Sequence, residues 1–591
     1  MSRAFNHTIA GNKGNERPTR VIFLDVESRV SEPHKGVRVF TPFLWVGACV
    51  KFEDSKMVSA VYSHGEEVGE FWDCVDNFCY PKTKVYLTSH HLEVDFIPLQ
   101  GFKHLQERGW VLKLFISHGR TLIMNWSKPG KKLVVINNGN IFAGSIDQWG
   151  KMIGLEKLPM PRESDPLEVW LPYCTRDVEV IAKMWEYLFM FLDGHNLGNF
   201  KLSAAGLAFN AYRHRFMSIP VSIHDDAEVI KLEREGYHGG RFQAVQIGDF
   251  SGDTFRQLDI NSMYGSIMAR EDLPYELRGY RESIEGYNLA YYVDRYAVIA
   301  EVEIYCWENV FPHFEGNKLG YGAGSFTTVL TTPELAYCLE NGWIQSVGRI
   351  AWYTRGKVLA SYASYFLDLK DKYDAAGNTP MRQLSKLYLN GLYGKFGQRG
   401  YNDRVIGDCD PNIIEIRDGW DLSLKCPLTI LKYGGRVHEC YSTDAARDAM
   451  IALAAHITAY GRLQIHQLAL KADYGNVYHI ATDSLTVNSE GYENLKSELS
   501  PRQPGKLKIE DTFSVYTVFD VNDQEMDGVR KIKGISKKSA QTDINAFLVT
   551  YWTKLETLIK IGKTDQYYVR EVEKHLRRGR YYDKQAKLFD V

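Results

Sequence analysis

Three apolar runs in this chain lead straight into carboxylates, and that arrangement constrains the fold more than any other feature. In FLDVESR the run Val21 to Leu24 meets Asp25, with Glu27 two residues on; in FRQLDINSMYGSIM a second run ends at Asp259; in NVYHIATDSLTV a third reaches Asp483 and Ser484 at a turn. Short apolar or alternating runs predict strands, and residues two apart on a strand share a face. Asp25 and Glu27 therefore read as two acids side by side at a strand end, which repel one another unless a divalent cation lies between them. Asp259 and Asp483 read as two acids at adjacent strand ends, able to hold metal ions that bridge a phosphate and an attacking hydroxyl. Taken singly, each is also what an ordinary exposed strand end or turn carries.

Further residues fall in with each set. Asp95 follows the strand-like VYLTSHH in HHLEVDF, and Tyr173 and Asp177 lie four apart in YCTRDVEV, on one face at the start of a helix expected over 176–195. Asp25 and Glu27, Asp95 and Asp177 together could hold two metals, with the tyrosine hydroxyl orienting a water. Between the other two acids, MRQLSKLYLNGLYGKFG predicts a helix on which Arg382, Lys386, Asn390 and Tyr393 share a face. Two cations, an amide and an aromatic suit a triphosphate and a base better than a core. In REGYHGGRF, Tyr237 precedes Gly239 and Gly240, which permit a tight approach to a ligand or simply a turn.

At 591 residues the chain exceeds one ordinary core, so two or more domains are expected. A hydrophobic share of 45% excludes general disorder, and a net charge of -2 means that any polyanion partner meets a lined groove and not a positive whole. The nine cysteines form no paired CxxC clusters, the N-terminus lacks a signal-peptide apolar run, and no long uncharged apolar stretch occurs, so free thiols and a location in the cytoplasm of a bacterial or other host cell, not secreted and not in a membrane, are expected. Basic residues gather after 500, including Lys506, Lys508, Lys531, Lys533, Lys537 and Lys538, and again in the tail KHLRRGRYYDKQAK. KLSAAGLAFNAYRHRF reads as a helix with a basic end that would suit DNA, or merely the helix dipole.

In this order along the chain, the motifs resemble those of family B DNA polymerases, most closely the protein-primed branch of phages, linear plasmids and mobile elements. FLDVES resembles the first exonuclease motif, HHLEVDF the second and YCTRD the third, which implies Asp25, Glu27, Asp95 and Asp177 as metal ligands and Tyr173 as their companion; Lys151 in WGKMIGL resembles the lysine that assists cleavage. DINSMYGS resembles motif A, implying Asp259 as a catalytic metal ligand and Tyr264 as the gate against ribose. KLYLNGLYG resembles motif B, implying Arg382 and Lys386 on phosphates and Asn390 and Tyr393 in the nucleotide pocket. ATDS resembles motif C, implying Asp483. YHGG resembles the Tyr-x-Gly-Gly element, with Tyr237, Gly239 and Gly240, that passes DNA between synthesis and editing; ITAYGR resembles the segment before motif C.

The resemblance implies an α/β and α+β multidomain fold, a ribonuclease H-like 3′→5′ exonuclease domain followed by a right-hand polymerase of palm, fingers and thumb. Its expected division is a flexible arm (1–19), exonuclease (20–195), linker helix and first palm part (196–272), an insertion that binds a terminal protein (273–360), fingers (361–398), a second insertion for strand displacement and processivity (399–440), palm (441–500), and palm end with thumb (501–591). Implied partners are DNA template and primer, dNTPs and a terminal protein primer, acting on a monomer. Implied cofactors are two Mg²⁺ per site, with Mn²⁺ as a substitute. The chain departs from the family pattern at Ala481, where an aspartate usually opens motif C, at His91 for the usual asparagine, and at Gly265 and Gly391 for the usual proline and serine; no Lys-x-Tyr primer grip stands near 506–520. A polymerase that needs no primer, a DNA-binding protein with decayed sites and a bare exonuclease are the alternative readings.

Overall fold

The computed structural model describes residues 6–576 other than 120, 316–317, 423–424 and 544. The basic tail beyond Leu576 and the first five residues of the N-terminal arm lie outside the described residues.

Near-continuous apolar runs suit strands buried on both faces, and the first domain is built on three of them. Arg20–Val30 pairs parallel with Lys84–Ser89, which pairs parallel with Lys131–Asn137. Val37–Glu53 flanks Arg20–Val30 antiparallel, and Thr121–Lys128 with Val111–His118 complete the far edge. Helix Leu167–Gly194 covers one face, where Trp185 meets Phe23 edge-on at 5.7 Å and Phe189 meets Phe52 at 5.0 Å. Helix Val68–Phe78 covers the other, with Phe71 on Trp45 at 5.5 Å. Two expectations need correction. The strand bearing Asp25 and Glu27 does not end there but runs on to Val30, with a register shift just after Glu27. The helix expected from 176 starts at Leu167, so Tyr173 and Asp177 stand in its second and third turns.

The sheet also recruits the other end of the chain. Tyr567–His575 pairs with Val37–Phe40, and Ala546–Trp552 and Ala540–Asp543 follow outward. The first domain is therefore not closed at residue 195 but completed by strands from beyond 540.

The segment expected as a free arm is held from residue 6. His7–Thr8 pairs with Ser222–Ile223, and Arg17 contacts Asp193 at 2.6 Å. The basic end of KLSAAGLAFNAYRHRF serves this anchoring: Arg213 donates to the Ala10 carbonyl at 2.6 Å, and the His214 ring bonds the Asn12 carbonyl at 2.9 Å.

A second, antiparallel sheet runs in the order Phe242–Ala244, Val477–Ala481, Ser484–Val487, Phe255–Ile260, Leu507–Phe513. Helices Met263–Arg270 and Ile451–Ala472 pack beside it, and a helical hairpin, Ala360–Ala375 and Thr379–Gly391, stands against the first of these. Each of the stretches expected as insertions, 273–360 and 399–440, contains an antiparallel four-stranded sheet. Leu273–Arg281, Ile344–Gly356, Ala297–Cys306 and Gly324–Thr331 form one with its own apolar core. Gly400–Asp408, Arg436–Thr443, Cys426–Tyr433 and Glu415–Asp421 form the other, which lays Ile416, Leu431 and Tyr433 onto the first domain's core. Among the described residues no helix is long and apolar enough to cross a membrane.

Candidate active sites

The first site lies where three elements of the first domain converge. Asp25 and Glu27 come from the central strand, Asp95 from the short helix Leu92–Phe96, and Tyr173, Cys174 and Asp177 from one face of Leu167–Gly194. Asp95 and Asp177 are buried. Burial first, and then neighbouring carboxylates, hold these acids above their ordinary range: Asp25 is pushed up to about 7 by burial and Asp177, and Glu27 to about 8 by burial, Asp25 and Asp177. Asp95 moves well up by burial and Asp25, and Asp177 moves up by burial against the pull of Lys157. A set of acids that resists ionisation in one niche is what a divalent cation relieves. The donors fit one: Asp25, Glu27 and Cys174 each offer a ligand atom within 4.8 Å of the others, and the Asp177 Oδ1 is buried with no hydrogen-bond partner among the described residues.

The lysine at this site is not the expected one. Lys151 is exposed and its ammonium sits 2.9 Å from Asp147 in its own helix. Lys157, in the coil after that helix, bonds the Asp177 Oδ2 and lies 4.6 Å from the centre of the Tyr173 ring. Burial opposes its charge, but Asp177 and Tyr173 outweigh that and hold the Lys157 ammonium above its ordinary value. His91 stands exposed at the head of the Asp95 helix, its ring 4.8 Å from His90. Beside it opens a cavity of about 580 Å³, lined also by Trp552, Lys554 and Tyr567 from the C-terminal part of the chain.

The second site is set by strand register. Asp259 lies opposite Ser484 on one neighbour and Lys508 on the other, and Asp483 occupies the turn between Val477–Ala481 and Ser484–Val487, its carbonyl accepting from the Ile260 N–H at 2.7 Å. Lys508, noted in sequence only as one of a basic group, places its ammonium 3.1 Å from Asp259 Oδ1. Burial and the Asp259 charge push Asp483 up to about 6. Thr482, at the turn's apex, takes a left-handed φ of +59°. The YHGG turn backs onto it: a side chain at Gly240 would come within 2.6 Å of Thr482, so only glycine allows this approach. Ala481, in register with Phe242, adds no carboxylate here.

Tyr264 rises from helix Met263–Arg270 and meets Tyr393 with ring centres 4.8 Å apart. Lys386 and Asn390 are exposed on Thr379–Gly391, and Arg382 pairs with Asp374 at 2.7 Å. Lys370, which no motif marks, is buried and donates to Asn261 at 3.1 Å and Ser262 at 2.7 Å, next to Asp259 in sequence. Both glycine departures have packing reasons. A side chain at Gly265 would press on Leu389 and Leu367, and one at Gly391 on the Ala204 carbonyl at 3.2 Å. A second cavity of about 580 Å³ adjoins Ala481 and is lined by Phe242, Lys531, Lys533 and Lys537, with the Lys533 ammonium 3.8 Å from the Phe242 ring centre.

Comparison with known proteins follows the same lines. Residues 156–406 match the family described as DNA polymerase type B, organellar and viral. A DNA polymerase of Kluyveromyces lactis is 28% identical over 246 residues, 39% of this chain and 24% of that protein. The DNA polymerase of Bacillus phage Nf is 26% identical over 411 residues, 65% of each chain, so this chain's match spans less than two thirds of either relative. Among solved structures, Phi29 DNA polymerase with primer-template DNA superposes with a TM-score of 0.66 at 14% identity, over 95% of this chain and all of that one, and its complex with single-stranded DNA with a TM-score of 0.60 at 17% identity, over 87% and 89%. Residues 156–406 thus resemble the type B DNA polymerases, and the chain shares the fold of Phi29 DNA polymerase over nearly its whole length.

Proposed function

We propose that the chain copies a DNA template from dNTPs at the Asp259 and Asp483 site and removes mispaired 3′ ends at the Asp25, Glu27, Asp95 and Asp177 site. The observation that carries this reading is the register that brings the strand end at Asp259 beside the turn that carries Asp483, with the Tyr264 and Tyr393 pair beside them. Asp259 and Asp483 would hold two Mg²⁺, and the other four acids a second pair. Bound there, such ions neutralise charge on the transferring phosphate and lower the pKa of the attacking oxygen.

The chain's own residues supply the rest. Lys386 and Arg382 face the triphosphate, Arg382 exchanging Asp374 for it, while Asn390 and Tyr393 line the base pocket. The Tyr264 ring excludes a 2′-hydroxyl by overlap. Lys508, 3.1 Å from its Oδ1, keeps Asp259 oriented until nucleotide arrives. In editing, the Tyr173 hydroxyl orients the water, and Lys157 offsets charge gathering on the scissile phosphate. Tyr237, Gly239 and Gly240, wedged against the Asp483 turn, link the two sites. The lysines around Phe242 form a cationic wall with an aromatic face, suited to the primer strand and to the role that the missing Lys-x-Tyr leaves open. An unpaired end would thread past His91 and the exposed Trp552, on which a base can stack.

In this reading 20–195, completed by the strands from 540 onward, is the exonuclease, 196–272 the linker and first palm part, 361–398 the fingers, 441–500 the palm, and the residues from 501 up to those strands the palm end and thumb. We assign the 273–360 sheet to a terminal protein that offers the priming hydroxyl, and the 399–440 sheet to strand displacement and processivity. A labelled primer on a circular single-stranded template, with Mg²⁺ and with or without dNTPs, tests the reading. Extension that Asp483→Asn abolishes, with shortening when dNTPs are withheld, is expected; Asp25→Ala should extend but not shorten. No extension by the unaltered chain with the primer still bound would mean that Ala481 marks a decayed site.

A further inference from the structure

The first acidic site contains a sulfur. Cys174 is fully buried, and its Sγ lies 3.2 Å from Asp25 Oδ2 and 3.5 Å from the Asp25 carbonyl. Sγ, an Asp25 oxygen and a Glu27 oxygen fall within 4.8 Å of one another, so that small side-chain rotations bring all three onto a single ion with bonds of about 2.0–2.3 Å. One helical turn on, Asp177 is buried, and its Oδ1, on the same helix face, has no hydrogen-bond partner among the described residues. Neither the family motifs nor the comparisons give this cysteine a role.

Oxygen-only sites suit Mg²⁺, whereas a thiolate selects borderline-soft ions such as Zn²⁺, Co²⁺ and Cd²⁺. We propose that Cys174, with Asp25 and Glu27 as co-ligands and Asp177 as the fourth donor, forms a thiophilic divalent-cation site inside the exonuclease centre, so that Zn²⁺ or Cd²⁺ occupies it in preference to Mg²⁺ and arrests editing. On binding, the Sγ–H proton passes to solvent and the Sγ lone pair forms the metal bond; nothing is oxidised or reduced. The inhibitory consequence rests on the exonuclease reading, but the binding claim does not.

The test titrates the metal-stripped full chain with Co²⁺ and separately with Cd²⁺, following the sulfur-to-metal charge-transfer absorption, for the unaltered protein, Cys174→Ser and Asp25→Asn. One equivalent of ion is expected to raise the band in the unaltered chain. Cys174→Ser should lack it, and Asp25→Asn should keep the band but bind the ion more weakly, by about tenfold or more. Primer extension by each variant verifies that it has folded. A band of equal strength in Cys174→Ser would assign it to another cysteine and overturn the proposal, as would no band in the unaltered chain. Mg²⁺-dependent digestion of single strands, measured alongside, separates the two claims: its absence with the band present would sink the exonuclease reading and leave the site standing.

Discussion

Lys151 and Lys157 stand close in sequence, yet one spends its charge on Asp147 at the surface and the other reaches the carboxylates. Lys157→Ala is expected to slow digestion of single-stranded DNA roughly a hundredfold, the scale of losing one charged contact to a developing anion, while leaving primer extension in place. Lys151→Ala should digest at the unaltered rate, and the reverse ranking would restore the expectation drawn from the motif. The acids themselves were legible because a strand places them by simple alternation. Lys157 was not, because it sits in an aperiodic coil whose path no local pattern encodes. A pH effect belongs at this scale too. Asp25 and Glu27 bind their protons more tightly folded than unfolded, so between the ordinary carboxylate range and about 8 the folded state holds more protons and stability falls as pH rises. In chelator, the melting temperature is therefore expected to drop across that interval, and Asp25→Asn should flatten the drop; a profile unchanged by the substitution would remove these acids as its cause.

At the scale of elements, the Thr379–Gly391 helix shows what a helix-face reading captures and what it misses. The 3.6-residue repeat correctly sets Lys386 and Asn390 outward, but it says nothing of the neighbour on the other side. There Gly391 meets helix Ala204–Ala211 so closely that a side chain would press on the Ala204 carbonyl at 3.2 Å. Gly391→Ser, which restores the residue common in the family, should accordingly destabilise the protein by about 1–3 kcal/mol, read by chemical denaturation. A neutral or stabilising result would mean that the two helices part at little cost. The stretches 273–360 and 399–440 were read from the resemblance alone, with no strands assigned to them. Their strands carry exposed, mixed residues on one face, and such strands have a weak local signature, which is why their sheets emerged only with the register.

The whole molecule closes through contacts that no segment announces. The 399–440 sheet packs on the first domain, and its Asp418 meets Lys560 of the helix Leu555–Lys560 at 2.7 Å. An exposed pair of this kind adds only about 0–1 kcal/mol, so its effect should appear in function and not in melting. Lys560→Glu is expected to shorten the product made per binding event, and adding Asp418→Lys to restore it. Unchanged product lengths in the single variant would deny this contact a part in holding DNA.

The pairing of Tyr567–His575 with Val37–Phe40 bears on how such a chain is made. During synthesis the strand Val37–Glu53 leaves the ribosome long before the partner for its first residues, Tyr567–His575, is made. Throughout translation the nascent first domain therefore presents an unsatisfied hydrogen-bonding edge, the kind of surface on which chains aggregate. The insertion sheets, each able to close on local partners, can fold meanwhile. The strands from 540 onward then act as a latch whose arrival converts a row of tethered units into one cooperative body, and a ribosome that stalls short of residue 567 would release a first domain with an open seam.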